Sequence, residues 1–155
     1  MGLLNYLFTD ATFFAYGEIM PKVQEIMSRK VVAIGAADRL LTVDDIMTLG
    51  NVRHMPVVQS GRLVGVVSEH DLLRASPSCL GAEAGEDRRA FLNSVKVGDV
   101  MSSPPVIINR GASLEDAARV MVANEIGCLP VVGNAGELLG ILTETQMLEV
   151  LAGRP

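Results

Sequence analysis

Val23-Gln-Glu-Ile-Met27 returns as Val97-Gly-Asp-Val-Met101, and Arg53-His-Met-Pro-Val-Val58 returns as Gly127-Cys-Leu-Pro-Val-Val132, both 74 residues downstream. Working outward, the same offset holds at Leu40/Leu114 and Met47/Met121. It becomes 75 at Gly61/Gly136, Gly65/Gly140 and Ser68/Thr143, so one residue has been inserted in a turn after Val58. The segments Val31–Ile34, Leu40–Met47, Val52–Val58 and Leu63–Ser68 thus have partners in Val106–Ile108, Leu114–Met121, Ile126–Val132 and Leu138–Thr143. A tandem repeat in register implies a pseudo-two-fold domain, with ligand sites at the seam between copies.

Each copy reads β-α-β-β-α. Val31–Ile34 is a short apolar run, expected to be a buried strand. Leu40, Val43, Ile46 and Met47, like Leu114, Ala117, Ala118 and Met121, recur at helical spacing. Ser113 with Asp116 makes a capping-box variant, and Gly50-Asn51 closes the first helix. Two β-branched runs around Ser60-Gly61 signal a hairpin, and Ser68 and Thr143 stand where N-caps of closing helices belong. The organisation expected is an N-terminal aromatic arm or helix at 1–20, a first repeat at 21–74, a linker at 75–95 and a second repeat at 96–152. Within that linker, Arg88–Val95 reads as a short helix leading into the second copy.

Composition narrows the function. A chain of 155 residues buries one core well, and each copy alone would be marginal. Hydrophobic residues make up 49% and aromatics 4%, so the core is aliphatic. A net charge of −5 argues against a general nucleic-acid binder but leaves room for a small anion in a local basic pocket. Cys79 and Cys128 lack metal-type spacing and no secretory signal precedes them, so a reduced, cytoplasmic location is expected. Five of the six aromatics fall in Tyr6–Tyr16, a stretch too short and polar to span a membrane. It reads either as a packing arm or as a docking arm for another protein.

Two local features have ligand chemistry. Gly65-Val-Val-Ser-Glu-His-Asp71 sets a hydroxyl, Ser68, and a carboxylate, Asp71, at one helix start. That corner suits vicinal hydroxyls such as those of a ribose, and equally a plain capping pair. Arg53-His54 precedes Met55-Pro56 and suits a phosphate, or is an exposed loop pair. The second copy keeps the hydroxyl as Thr143 but has Gln146 for Asp71, and Gly127-Cys128 for the basic pair, so two sites would not be equivalent. There is no Walker-type loop, no metal-ligand pattern and no nucleophile paired with a base, so an enzyme is not expected.

These motifs resemble CBS motifs, named after cystathionine β-synthase, and the pair resembles a Bateman module. The resemblance rests on Val23–Met27, Arg53–Val58, Gly65–Asp71, Val97–Met101, Ile126–Val132 and Gly140–Thr145. It implies an α/β (α+β) CBS-domain pair assembled as a homodimer, with up to two clefts per chain for AMP, ADP, ATP or S-adenosylmethionine. It implies that Ser68 and Asp71, and only Thr143 in the second copy, hold the ribose. The base would be flanked near Val31, Val32, Val106, Ile107, Met55, Pro56, Leu129 and Pro130, and phosphate would meet Arg53 and His54. The function expected is a regulatory sensor of adenosine ligands with Arg53, His54, Ser68 and Asp71 in one cleft, acting in trans on a protein target. The alternatives are an S-adenosylmethionine binder, or a non-binding dimeric interaction module that uses the aromatic arm.

Overall fold

The computed structural model describes residues 21–76 and 84–153; the aromatic arm lies outside them. The described residues form two three-stranded sheets of the same design. In the first, β1 (Ile34–Gly35) runs parallel to β2 (His54–Gln59), which pairs antiparallel with β3 (Arg62–Ser68). In the second, β4 (Ile108–Asn109), β5 (Cys128–Val132) and β6 (Leu138–Thr143) repeat that order and those directions. The register breaks at Val57/Val58 and again at the equivalent Val131/Val132. The mixed α+β architecture follows the repeat.

Local chemistry accounts for the elements. Ser60 (φ 51°) and Gly61 (φ 75°) form the two-residue turn of the first hairpin, where positive φ at both positions matches the strand twist. The second hairpin carries the inserted residue in this turn, between Val132 and Leu138. Helix α2 (Leu40–Gly50) ends on Asn51 in the left-handed conformation. Helix α5 (Leu114–Asn124) begins on Ser113, whose Oγ accepts from the Asp116 N–H at 3.0 Å. The closing helices α3 (Glu69–Ala75) and α6 (Glu144–Leu151) start on the capping boxes Ser68/Asp71 and Thr143/Gln146.

The two halves interleave. Helix α1 (Val23–Ile26) and residues 27 and 28 precede the first sheet in sequence, yet they pack on the second. Val23 N–H donates to Ala112 O at 3.0 Å, and Ser28 and Ile141 exchange backbone hydrogen bonds of 2.9 and 3.0 Å. The equivalent segment of the second copy does the reverse. Val97 N–H donates to Asp38 O at 2.9 Å, and Ser102 and Val66 exchange bonds of 2.9 and 3.1 Å. Val23 and Met27 therefore lie in the core with Leu114, Met121, Leu129 and Leu142, and Val97 lies in the core with Leu40, Met47, Met55 and Leu72.

Two expectations need correction. The strand expected over Val31–Ile34 is only Ile34–Gly35, and its counterpart is Ile108–Asn109 rather than Val106–Ile108. Residues 29–33 must cross from Ile141 on one sheet to Val57 on the other, so they cannot pair along either. The short helix expected over Arg88–Val95 is the longer α4 (Ala84–Ser94), and rather than merely linking the copies it packs on α2. Leu92 is fully buried in the first core, and Arg88 grips both carboxylate oxygens of Asp44 at 2.8 Å. That hydrogen bond holds the Asp44 carboxyl below the usual carboxylate range against the opposing pull of burial.

The crossing is possible because a glycine stands under each segment. A Cβ on Gly65 would meet Met101 Sδ at 2.7 Å and Ser102 O at 2.8 Å; one on Gly140 would meet Met27 Sδ at 2.8 Å and Ser28 O at 2.7 Å. Backbone on one side cannot yield as a side chain would. Gly65→Ala and Gly140→Ala should each destabilise the protein by about 1–3 kcal/mol. Gly50→Ala, whose Cβ meets only Val52 Cγ2 at 3.8 Å, should be neutral or slightly stabilising in the same urea titrations.

Candidate functional site

Two cavities open where the halves meet. One, of about 370 Å³, lies between residues 28–32, the entry to β2 and the start of α6; Thr143 and Gln146 line it. The other, of about 320 Å³, lies between residues 102–106, the entry to β5 and the start of α3; Ser68 and Asp71 line it. Both volumes fall within the size range of small-ligand sites. They are called below the Thr143 cleft and the Asp71 cleft.

At the Asp71 cleft the capping pair is fully formed. Ser68 N–H and Oγ–H both donate to Asp71 Oδ2, at 2.8 and 2.7 Å, while Ser68 Oγ accepts from the Asp71 N–H at 3.2 Å. Asp71 Oδ1 accepts from none of the described residues. Capping and ligand contact are therefore compatible: one carboxylate oxygen starts the helix and the other remains an acceptor at the cleft. His70 and Arg74 on the same helix, with Pro104, Pro105 and Val106 opposite, complete the lining.

At the Thr143 cleft the same corner is built from neutral groups. Thr143 N–H and Oγ1–H donate to Gln146 Oε1 at 2.8 and 3.1 Å, and Gln146 Nε2–H donates to Ile26 O at 3.3 Å. Lys30, Val31 and Val32 form the facing wall, with Arg53 beside them.

Of Arg53, His54, Ser68 and Asp71, expected in one cleft, the last three line the Asp71 cleft and Arg53 does not. His54 pairs with Ser68 across the β2–β3 ladder and lines both cavities, whereas Arg53 lines the Thr143 cleft and not the Asp71 cleft. Arg53 and His54 thus share the Thr143 cleft, and His54 alone of the pair also reaches the Asp71 cleft. Arg53 Nε also lies 3.9 Å from Glu69 Oε2 in an exposed pair. Val31 and Val32 line the Thr143 cleft and Val106 the Asp71 cleft. Met55, Pro56, Leu129 and Pro130 are buried and line neither cavity, and Ile107 is exposed and lines neither. Sequence reasoning missed Lys30, His70 and Arg74. The spacing of Asp71 and Arg74, one helical turn on α3, was the available signal for the last.

Electrostatics separates binding groups from reactive ones. Burial pushes the Cys128 thiol up to about 12, with Asp71 and Glu144 adding to the rise, so it packs as a small hydrophobe. Burial also lowers His54 below its ordinary value, and Arg53 adds to the shift, while Glu144, Asp71 and Glu69 oppose it. Among the described residues no cluster of His, Cys, Asp and Glu can hold a metal ion, and no helix is long and apolar enough to cross a membrane.

Comparison with known proteins agrees with the repeated fold. The family model "CBS domain" matches residues 23–78 and 97–153. A CBS domain-containing protein from Dictyostelium discoideum is 30% identical over 130 residues, 83% of this chain and 90% of the relative. The CBS-pair protein CBSX2 of Arabidopsis thaliana, in its complex with AMP, superposes with a TM-score of 0.68 at 26% identity, over 85% of this chain and 96% of that one. The CBS domain pair of protein MJ0100, solved with 5′-methylthioadenosine and S-adenosyl-L-methionine, shares the fold with a TM-score of 0.72 at 19% identity, over 87% of this chain and 98% of that one. With two matched repeats, two equivalent sheets and a cavity at each seam, the chain belongs to the CBS domain family as a tandem pair.

Proposed function

We propose that the protein is a regulatory CBS pair that binds an adenosine phosphate (AMP, ADP or ATP) at the seam and passes occupancy in trans to a protein target. The observation that carries this reading is Asp71, whose Oδ1 stands ready as an acceptor for ribose hydroxyls with Arg74 one turn further along the helix. The complex of CBSX2 with AMP supports the same ligand class. S-adenosylmethionine has no phosphate to answer Arg74 here or Lys30 and Arg53 in the other cleft. The sensor binds without catalysing, in a reducing, cytoplasmic setting that leaves Cys128 a free thiol.

Signalling follows from the walls. Asp71 belongs to the first half, while Pro104–Val106 and Gly127 belong to the second, so a ligand held between them bears on the relative placement of the halves. It shifts that equilibrium only by its differential affinity for the two arrangements. A second copy of the chain is the natural receiver of such a change. Leu73 on α3 and Leu148 on α6 occupy equivalent positions and are 61% and 62% exposed, with Leu49, Val122 and Leu151 also exposed on helices.

Calorimetric titration of ligand-stripped protein with AMP, ADP, ATP and S-adenosylmethionine should give saturable binding of an adenosine phosphate. Asp71→Ala should weaken it about ten- to hundredfold, the range for hydrogen bonds to a charged acceptor. No binding by any of the four would transfer the weight to the interaction-module reading. The imidazole of His54, kept neutral by burial, should become imidazolium when a phosphate approaches, so binding should take up a proton. Affinity should then strengthen as pH falls from about 7.5 toward about 6, where protonation of the phosphate itself begins to oppose it. Titration in buffers of different ionisation enthalpy counts the proton, and His54→Gln should abolish its uptake. Sedimentation velocity should show a dimer that Leu73→Lys with Leu148→Lys dissociates.

A further inference from the structure

The pseudo-two-fold relation that governs the backbone fails at the two clefts, and it fails in a chemically directed way. A carboxamide oxygen has two lone pairs. Both of those on Gln146 Oε1 are occupied, by the N–H and the hydroxyl of Thr143, and the amide nitrogen donates one of its two N–H groups to the Ile26 carbonyl. Gln146 thus offers the Thr143 cleft no acceptor for a sugar hydroxyl. Its side chain instead fastens α1 onto α6. The equivalent of Ile26 in the other half is Val100. Asp71, having no N–H, cannot make such a tie, and its Oδ1 is left for a ligand.

The cations are arranged differently as well. In the Asp71 cleft the cation is Arg74, on the helix that carries the carboxylate, with the His70 ring beside it in the lining. The equivalent positions on α6 are Thr145 and Glu149. In the Thr143 cleft the cations are Lys30 and Arg53, on the chain segments facing that helix, and Glu144 is the acidic group at its start. One cleft therefore carries a free carboxylate oxygen at the third position of its helix with Arg74 one turn on, and the other has cations on the facing segments and no free acceptor at the equivalent position.

We infer that the clefts read different parts of a nucleotide: the Asp71 cleft recognises the ribose diol, while the Thr143 cleft recognises phosphate and is blind to the diol, with Gln146 as the specificity-determining residue. This deepens the adenosine-phosphate reading and rests on it. The Thr143 cleft would accept ribo-, deoxy- and dideoxynucleotides alike.

The test compares ATP with 2′,3′-dideoxy-ATP by calorimetry on the full chain. Wild type should bind ATP at two sites, and loss of the diol should weaken one about tenfold or more while leaving the other within about twofold. Arg53→Ala should weaken the diol-blind site, and Asp71→Asn should bring the diol-sensitive site close to equal affinity for the two ligands. Gln146→Asp should make the blind site discriminate. If circular dichroism shows that this variant has lost its fold, wild type and Arg53→Ala still decide. Equal loss at both sites on removing the diol, or a single ATP site that is diol-sensitive, would overturn the inference. So would a folded Gln146→Asp protein that remains blind. Failure of ATP to bind anywhere would overturn the parent reading and this one together, a result distinguishable from the others.

Discussion

The structure depends on the reciprocal crossing of two segments, residues 22–28 and 97–102, each seated on the sheet of the other half. Each crossing is a matched set of backbone hydrogen bonds over a glycine, with Ser28 against Ile141 above Gly140 and Ser102 against Val66 above Gly65. Neither core is complete without it. Val23 and Val97 are fully buried, each among residues of the opposite copy. The crossing also makes the clefts, because the chain leaving each contact must span the seam before reaching its own sheet, and residues 30–32 and 104–106 are the walls it leaves there.

Within that symmetric frame the chemistry is uneven. His54 stands at the entry to β2 and lines both cavities; its counterpart Cys128 is buried and lines only one. A titratable ring on one side of the pseudo-axis and an inert thiol on the other mean that the halves share a scaffold without sharing a response. The same holds for Asp71 and Gln146. Both cap a helix through an equivalent hydroxyl, yet only the carboxylate keeps an acceptor in reserve.

Much of this was legible in the sequence, for identifiable reasons. The constant offset, the Ser60-Gly61 turn and the Ser68 and Thr143 caps are local signals, and local signals set the elements. The interleaving was not legible. Val23 and Val97 are apolar in the same pattern, and nothing in either states which core will receive it. The parting of Arg53 from Asp71 required the folded chain, since Arg53 stands just before β2 and its neighbour His54 reaches both cavities. Lys30 and Arg74 stand outside the quoted motifs, and only the folded chain sets them at clefts. Gln146 read as a replacement for Asp71 that makes the sites inequivalent, whereas its bond to Ile26 joins residues 120 apart in sequence.

Exchange of leading segments is how identical chains commonly build a swapped dimer. Here the two partners are one polypeptide, so the exchange is intramolecular and proceeds at an effective concentration on the order of millimolar. Dilution cannot undo it. A lone repeat would lack the segment that closes its interior and would have to borrow one from a neighbour, with a stability that falls as the protein becomes scarce. Covalent duplication removes that dependence, so the fold and its two cavities are independent of protein concentration, and only assembly beyond the single chain responds to abundance.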